Sequence, residues 1–223
     1  MKRYLIITII LFLAFLKNSI IVKAQSDLSE GWEINVMNER QPPGKIMNAI
    51  GIKHGMVIGE IGAGRGRFTV YLAREVGATG KILANDIDEQ ALTYLEERCK
   101  KLGFKNVKTI LGENDDAGFP DKSIDMAIMI WVYHMIEKPD PLLTNLKKSL
   151  KPGALLVILD PVDKEIDEEF HIDRNTSGPK PPTIKERIEK SAGIAGFEIV
   201  RIETFLPKDF IFILKVKDQK EIK

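Results

Sequence analysis

Gly62, Gly64 and Gly66 stand at every second position just behind an acidic residue, Glu60, which itself follows the apolar run Met56-Val57-Ile58. Beyond them Phe68, Val70, Tyr71 and Leu72 recur at helical spacing, so residues 56–73 read as strand, glycine loop and helix. A loop without Cβ atoms lets a ligand lie directly on the main chain. The dinucleotide fingerprint G-x-G-x-x-G uses such a loop to set pyrophosphate on a helix N-terminus. Here the third glycine comes one residue early and an acid precedes the first. A second carboxylate, Asp86, follows Gly66 by about twenty residues, the interval at which an acid closing the next strand accepts hydrogen bonds from two ribose hydroxyls. Loop and carboxylate together point to a nucleoside-bearing ligand. A tight turn in another kind of α/β protein would use the glycines alone. For proton transfer the chain offers Tyr133 and His134, its only adjacent phenol and imidazole, and an imidazole accepts a proton near neutral pH. The competing reading is that His134 caps a helical turn while Tyr133 packs.

These residues need elements to hold them. Residues 45–50 predict a short helix ending near Gly51, with Ile46, Met47 and Ile50 on one face. Lys81-Ile82-Leu83-Ala84-Asn85 predicts a second strand, whose carboxyl end a right-handed βαβ connection brings beside the glycine loop. Asp88 is the N-cap of a helix over 89–102 that stops at Gly103. A third strand is expected at 107–111 and leads into Gly112-Glu113-Asn114-Asp115-Asp116, whose acids could equally be solvated. Met126-Ala127-Ile128-Met129-Ile130 reads as a central strand buried on both faces. Asp140-Pro141 opens a further helix. Lys151-Pro152-Gly153 is expected to turn the chain into a strand over 154–159, bringing Asp160 to the same crevice. Residues 162–182 are acidic and then proline-rich, and predict a lid loop on the substrate side. Thr183-Ile184-Lys185-Glu186 is a capping box. Two strands joined by Leu206-Pro207-Lys208 end the domain, and so short a connection makes them antiparallel.

The E-x-G-x-G-x-G pattern resembles motif I of the class I S-adenosylmethionine-dependent methyltransferases, and the resemblance covers residues 41–217. It implies a doubly wound α/β fold with a mostly parallel seven-stranded sheet and an antiparallel last strand, with S-adenosyl-L-methionine as cofactor. The implied cofactor-binding residues are Glu60, Gly62, Ala63, Gly64, Gly66, Asp86, Ile87, Glu113, Asn114 and Asp115. Among these, Glu60 is oriented toward the amino-acid end and Glu113 or Asp115 toward the adenine amino group. Glu113 stands where the family usually has Asp, and Asn114 where it often has Ala. The segment ahead of the loop often helps cover the cofactor in this family, which makes Asn38, Arg40 and Gln41 candidate contacts. Trp131-Val132-Tyr133-His134-Met135-Ile136 matches a stretch lying beside the transferred methyl group, so His134, with Tyr133, is the candidate catalytic base. The implied function is in-line transfer of the sulfonium methyl group to an unidentified acceptor, small or macromolecular. Two alternatives stand beside it: an exported or membrane-tethered binding protein with this fold and no turnover, and a nicotinamide-dependent oxidoreductase.

At 223 residues, 44% hydrophobic and 29% charged, the chain suffices for one domain with a sizeable core. Its 33 Lys and Arg against 32 Asp and Glu carry no nucleic-acid signature. The lone Cys99 can form neither an internal disulfide nor a thiolate cluster, and no protein-held metal is expected. Lys2 and Arg3 precede an apolar run, and Val22-Lys23-Ala24 places small residues ahead of a cleavage point. Residues 1–24 therefore read as a signal peptide or, with membrane contact through residues 4–22, an uncleaved anchor, leaving 25–223 as a single domain. Export or anchoring conflicts with a cofactor made in the cytoplasm.

Overall fold

Strands that alternate between two apolar faces need a helical layer on each side, and the chain supplies both. The computed structural model describes residues 28–31, 33–174 and 181–217, without the side chain of Asn38. Its seven strands, β1 (Val57–Ile61), β2 (Lys81–Asp86), β3 (Val107–Leu111), β4 (Ile124–Ile130), β5 (Leu150–Pro161), β6 (Phe197–Glu203) and β7 (Asp209–Val216), form one sheet in the order β3-β2-β1-β4-β5-β7-β6. β3, β2, β1, β4 and β5 run parallel, while β7 enters antiparallel between β5 and β6. This is the expected sheet, with the last strand reversed.

Along β4, Met126, Ile128 and Ile130 pack on one face with α1 (Pro43–Ile50), α2 (Thr69–Val76) and α3 (Glu89–Leu102). Ala127 and Met129 pack on the other with α4 (Pro139–Ser149) and α6 (Ile184–Ala195). Burying each such aliphatic side chain contributes about 1.5–3 kcal/mol, which is why β4 reads as an unbroken apolar run. The local stop signals act as expected. Asp88 accepts from the amides of Gln90 and Ala91, Gly103 closes α3 at φ 78°, and the Thr183–Glu186 capping box is complete.

Three expectations are corrected. Lys151-Pro152-Gly153 lies inside β5, where the pairing with β4 shifts between Ile124 and Met126, so the segment is an irregular edge of the ladder and not a separate turn. α4 begins at Pro139, one residue before Asp140, so Asp140 sits in its first turn instead of capping it. The supposed loop 162–182 carries a helix, α5 (Asp163–Glu169), which buries only Ile166 and therefore left almost no apolar periodicity to read. Residues 175–180 lie outside the described residues, as do residues 1–27 with the signal-peptide, anchor and membrane-contact expectations. Among the described residues, no helix is long and apolar enough to cross a membrane.

Ahead of α1, Glu33–Asn35 and a π-helical turn, Val36–Arg40, lie over the carboxyl ends of the strands. One buried cation fastens them: Arg98 of α3, 3% exposed, grips both oxygens of Glu33 at 3.0 and 2.7 Å and donates to the carbonyls of Leu28 and Arg65. Removing one member of a buried pair leaves its partner as an unpaired charge. Arg98→Met is accordingly expected to loosen residues 28–40 by about 3 kcal/mol, read as faster amide hydrogen exchange there with the central strands unchanged. Unaltered protection of residues 33–40 would show that the segment docks without the pair.

Candidate functional site

Because β1 and β2 are parallel and in register from Val57↔Lys81 to Ile61↔Asn85, their carboxyl ends finish side by side. The glycine loop then folds onto the end of β2. The Ala63 amide donates to the Asn85 carbonyl at 2.8 Å, and the Gly64 amide donates to Asp86 Oδ2 at 2.7 Å. Asp86 Oδ1 accepts from the Asp88 amide at 3.0 Å, so both oxygens of this carboxylate are oriented by main-chain donors. The three glycines serve different ends. A Cβ at Gly62 would fall 2.3 Å from Val132 Cγ2, and one at Gly66 would fall 2.3 Å from Leu95 Cδ1; at Gly64, with φ 53°, it would meet nothing within 4 Å. Gly62 and Gly66 are packing requirements, whereas Gly64 presents bare main chain to open space.

That space is a cavity of about 1050 Å³ running across the ends of β3, β2, β1 and β4. On the β3 side it is lined by Ile87, Glu113, Asn114 and Asp115, the last three on an exposed turn closed by mutual bonds between the main chains of Glu113 and Asp116. Asp86, Asn85, Gly62, Ala63 and Gly64 line the middle, Glu60, Arg67 and Trp131 the β4 side, and Glu33, paired with Arg98 of α3, completes the lining. Val132, Met135, Ile136, Pro141 and Leu142 give it an apolar wall. Of the expected cofactor residues, all but Gly66 line this cavity; Gly66 is buried behind the loop.

Trp131 follows β4 in a left-handed backbone conformation, φ 59°, which is strained for a large side chain. Its indole N–H donates to Asp209 Oδ1 at 2.7 Å, and the guanidinium groups of Arg40 and Arg67 lie 4.4 and 4.6 Å from its ring centre. Fully buried Asp209 is held in turn by Arg40 at 2.8 and 2.9 Å. Arg40 and Gln41 thus touch residues that line the cavity without lining it themselves, and the side chain of Asn38 lies outside the described residues.

The catalytic pair takes a different position from the one expected. On the turn Tyr133–Met135, residues 131, 132, 135 and 136 face the cavity and residues 133 and 134 do not. Tyr133 is fully buried and donates to the Arg187 carbonyl at 3.0 Å. His134 is bound to Asp160 twice, by its amide at 2.7 Å and by its Nδ1 at 3.0 Å. Asp160 is fully buried rather than open to the crevice, and that burial raises its pKa. The adjacency of phenol and imidazole therefore builds a structural turn. Arg67, Asn85 and Glu33 are not assigned a site role by the sequence, and Trp131 and Val132 only as part of the stretch 131–136; Arg67, directly behind the third glycine, and Trp131, directly behind the buried run, give the clearest positional signal.

Glu60 is buried, 3% exposed, and accepts from Thr69 Oγ1 at 2.6 Å. Burial pushes its pKa from 4.5 up to about 7, although the Thr69 hydroxyl and the Arg67 charge work against the rise. A carboxyl whose pKa is raised in the folded state stabilises that state most below its unfolded value and loses the contribution as pH climbs through the folded value. Glu60→Gln is therefore expected to match the wild type at pH 4 and to exceed it by about 1–3 kcal/mol at pH 8 in urea unfolding without ligand. Equal stability of the two proteins at pH 8 would show that Glu60 carries no burial penalty.

Residues 52–205 match the family model described as a methyltransferase domain. The ubiquinone/menaquinone biosynthesis C-methyltransferase UbiE of Escherichia coli is 28% identical over 131 residues, 55% of this chain and 52% of that enzyme, so the match spans about half the length of such relatives. A solved S-adenosylmethionine-dependent methyltransferase from Aquifex aeolicus is 26% identical, with 86% of this chain and 97% of that one superposed at a TM-score of 0.68. A Haemonchus contortus N-methyltransferase solved with S-adenosylhomocysteine, 17% identical, shares the fold over 81% of this chain and 54% of its own at 0.64. Neither the nicotinamide-dependent reading nor that of an exported binding protein finds support in these likenesses. The chain belongs to the methyltransferase-domain family, and its fold is that of the class I S-adenosylmethionine-dependent methyltransferases.

Proposed function

We propose that the protein transfers the sulfonium methyl group of S-adenosylmethionine to a small, largely apolar acceptor. The observation that carries this reading is the division of one cavity between a nucleoside cradle, where Gly64 and Asp86 meet at 2.7 Å, and the apolar wall formed by Val132, Met135, Ile136 and Leu142. The residues present fit the cofactor. Open space at Gly64 admits it to the main chain, Asp86 receives the ribose hydroxyls, and the turn at Glu113, Asn114 and Asp115 receives the adenine edge. Glu60 turns toward the ammonium group of the methionine part. When bound, the cofactor supplies an already activated methyl group. The protein's part is to align the acceptor and exclude water, for which an apolar wall suffices. Tyr133 and His134 have no proton-transfer role in this reading, since neither ring reaches the cavity. The likeness to UbiE, named for ubiquinone/menaquinone biosynthesis, supports an acceptor with an apolar body.

Incubation with methyl-labelled cofactor and a panel containing a short-chain quinol, a phospholipid amine and RNA tests the acceptor class. Label is expected in the quinol, and label confined to the other two would overturn the apolar assignment. Asp86→Ala is expected to weaken S-adenosylhomocysteine binding by about 1–3 kcal/mol in calorimetry, through loss of charge-assisted hydrogen bonds. Undiminished affinity would remove Asp86 from the ribose site. Gly64→Ala should abolish detectable binding while lowering stability by only about 1–2 kcal/mol, the strain of a side chain at positive φ. Gly66→Ala, which must displace Leu95, is expected to unfold at lower temperature than Gly64→Ala. The reverse order in thermal melts would mean that the two glycines have exchanged roles.

A further inference from the structure

Arg67 is a cation in the cavity wall whose neighbouring carboxylates are already engaged. Glu33 gives both oxygens to Arg98, Asp209 gives both to Arg40 and one also to the Trp131 indole, and Glu60 accepts from Thr69. Among the described residues, no carboxylate lies within ion-pair distance of the Arg67 guanidinium. Its hydrogen bonds are made by Nη1 alone, to Gln41 Oε1 at 2.6 Å and Met37 Sδ at 3.9 Å. Gln41 is fully buried, and among the described residues its Nε2 has no hydrogen-bond partner. Reversing its amide would turn a donor toward the guanidinium, so Oε1 must face Arg67 and Nε2 remains a donor lacking an acceptor. Gln41 thus holds one arm of the guanidinium, and Nε and Nη2 of Arg67 have no acceptor among the described residues.

A guanidinium in the cavity wall that lacks an anion marks where one belongs. Resting on the cofactor reading above, we infer that Arg67, held at Nη1 by Gln41, recognises the α-carboxylate of the methionine part of S-adenosylmethionine. The placement suits the ligand from end to end: with the nucleoside across β3, β2 and β1, the amino-acid head falls on the β4 side, beside Arg67 and Trp131. There Glu60 offers a carboxyl acceptor to the ammonium end of the zwitterion and Arg67 a cation to its carboxylate end. Trp131, stacked against the guanidinium at 4.6 Å, keeps it from swinging out. Arg65 and Lys138 also line the cavity but are exposed, and solvated ions bind a carboxylate weakly.

Calorimetry with S-adenosylmethionine and decarboxylated S-adenosylmethionine, which lacks only this group, tests the inference. The wild type is expected to prefer the carboxylated compound by about tenfold or more, the equivalent of one charge-assisted hydrogen bond. In Arg67→Met, S-adenosylmethionine should lose that factor while the decarboxylated compound binds within about threefold of its wild-type affinity, collapsing the preference. Gln41→Leu, which releases Arg67 Nη1 from its acceptor without touching a charge, should weaken S-adenosylmethionine alone and serves if Arg67→Met fails to melt cooperatively. Equal weakening of both compounds in the variants would make Arg67 a scaffold residue and overturn the inference. Unchanged affinity for both would overturn it too, leaving the cation to an acidic group on the acceptor. A wild-type protein that binds neither compound would overturn the cofactor reading and this inference with it, whereas one that binds both equally would overturn this inference alone.

Discussion

A single hydrogen bond, from the Gly64 amide to Asp86 Oδ2, makes a site out of two strand ends. The loop after β1 has no regular ladder to enter, and its amides need acceptors. Asp86 supplies one and the Asn85 carbonyl another, so the loop is fixed to β2 before any ligand arrives. The cost is borne by Asp86, whose carboxylate is held between two amides in a partly buried position. That arrangement is possible only because β1 and β2 are parallel and finish level. A reversed β2 would carry Asp86 to the opposite edge of the sheet.

The β4 side is assembled less locally. Trp131 comes from β4, Asp209 from β7, Arg40 from the segment before α1, and Arg67 from the loop leading into α2. These positions lie far apart in the chain, and they meet because β7 inserts beside β5 and brings Asp209 to the end of the sheet where β4 stops. The reversed strand thus has a consequence for the cavity as well as for the core. Its first residue anchors the indole, and through Arg40 it anchors the covering segment. Arg98 and Glu33 make the second attachment of that segment, on the α3 side. The cover is held at both flanks by guanidinium–carboxylate pairs removed from water, where such pairs resist screening by salt.

What the sequence disclosed and what it withheld divide along the same line. Glu60, the glycines, Asp86, the Asp88 cap and the Thr183–Glu186 box are legible because each acts on atoms a few residues away or on the immediately adjacent strand. The seven strands are legible because burial on two faces leaves apolar runs. The cation stack on Trp131 is not, since nothing in residues 40, 67, 131 and 209 announces that they meet. Tyr133 and His134 fall outside the cavity lining for a geometric reason: neighbours on a tight helical turn can share one direction while the residues on either side share the other. Adjacency there said nothing about which way the cavity lay. α5 escaped notice because a helix that buries one side chain, Ile166, has no stripe. The register shift in β5 was hidden because Pro and Gly read as a turn wherever they fall together.

Strain at Trp131 follows from the same architecture. A bulky residue at φ 59° costs about 1–3 kcal/mol, and that conformation persists only where its surroundings over-determine it. Here the amide is committed to the Leu159 carbonyl at 2.9 Å, the indole N–H to Asp209, and the ring to two guanidinium groups. Glycine would relieve the backbone at this position but would forfeit all of the side-chain contacts. The bend does something extended backbone could not: it ends β4 abruptly, so that Val132, Met135 and Ile136 turn back over the strand ends and Val132 closes against the space above Gly62. The missing Cβ at Gly62 and the left-handed Trp131 are therefore two halves of one fit, and the apolar wall of the cavity hangs from it.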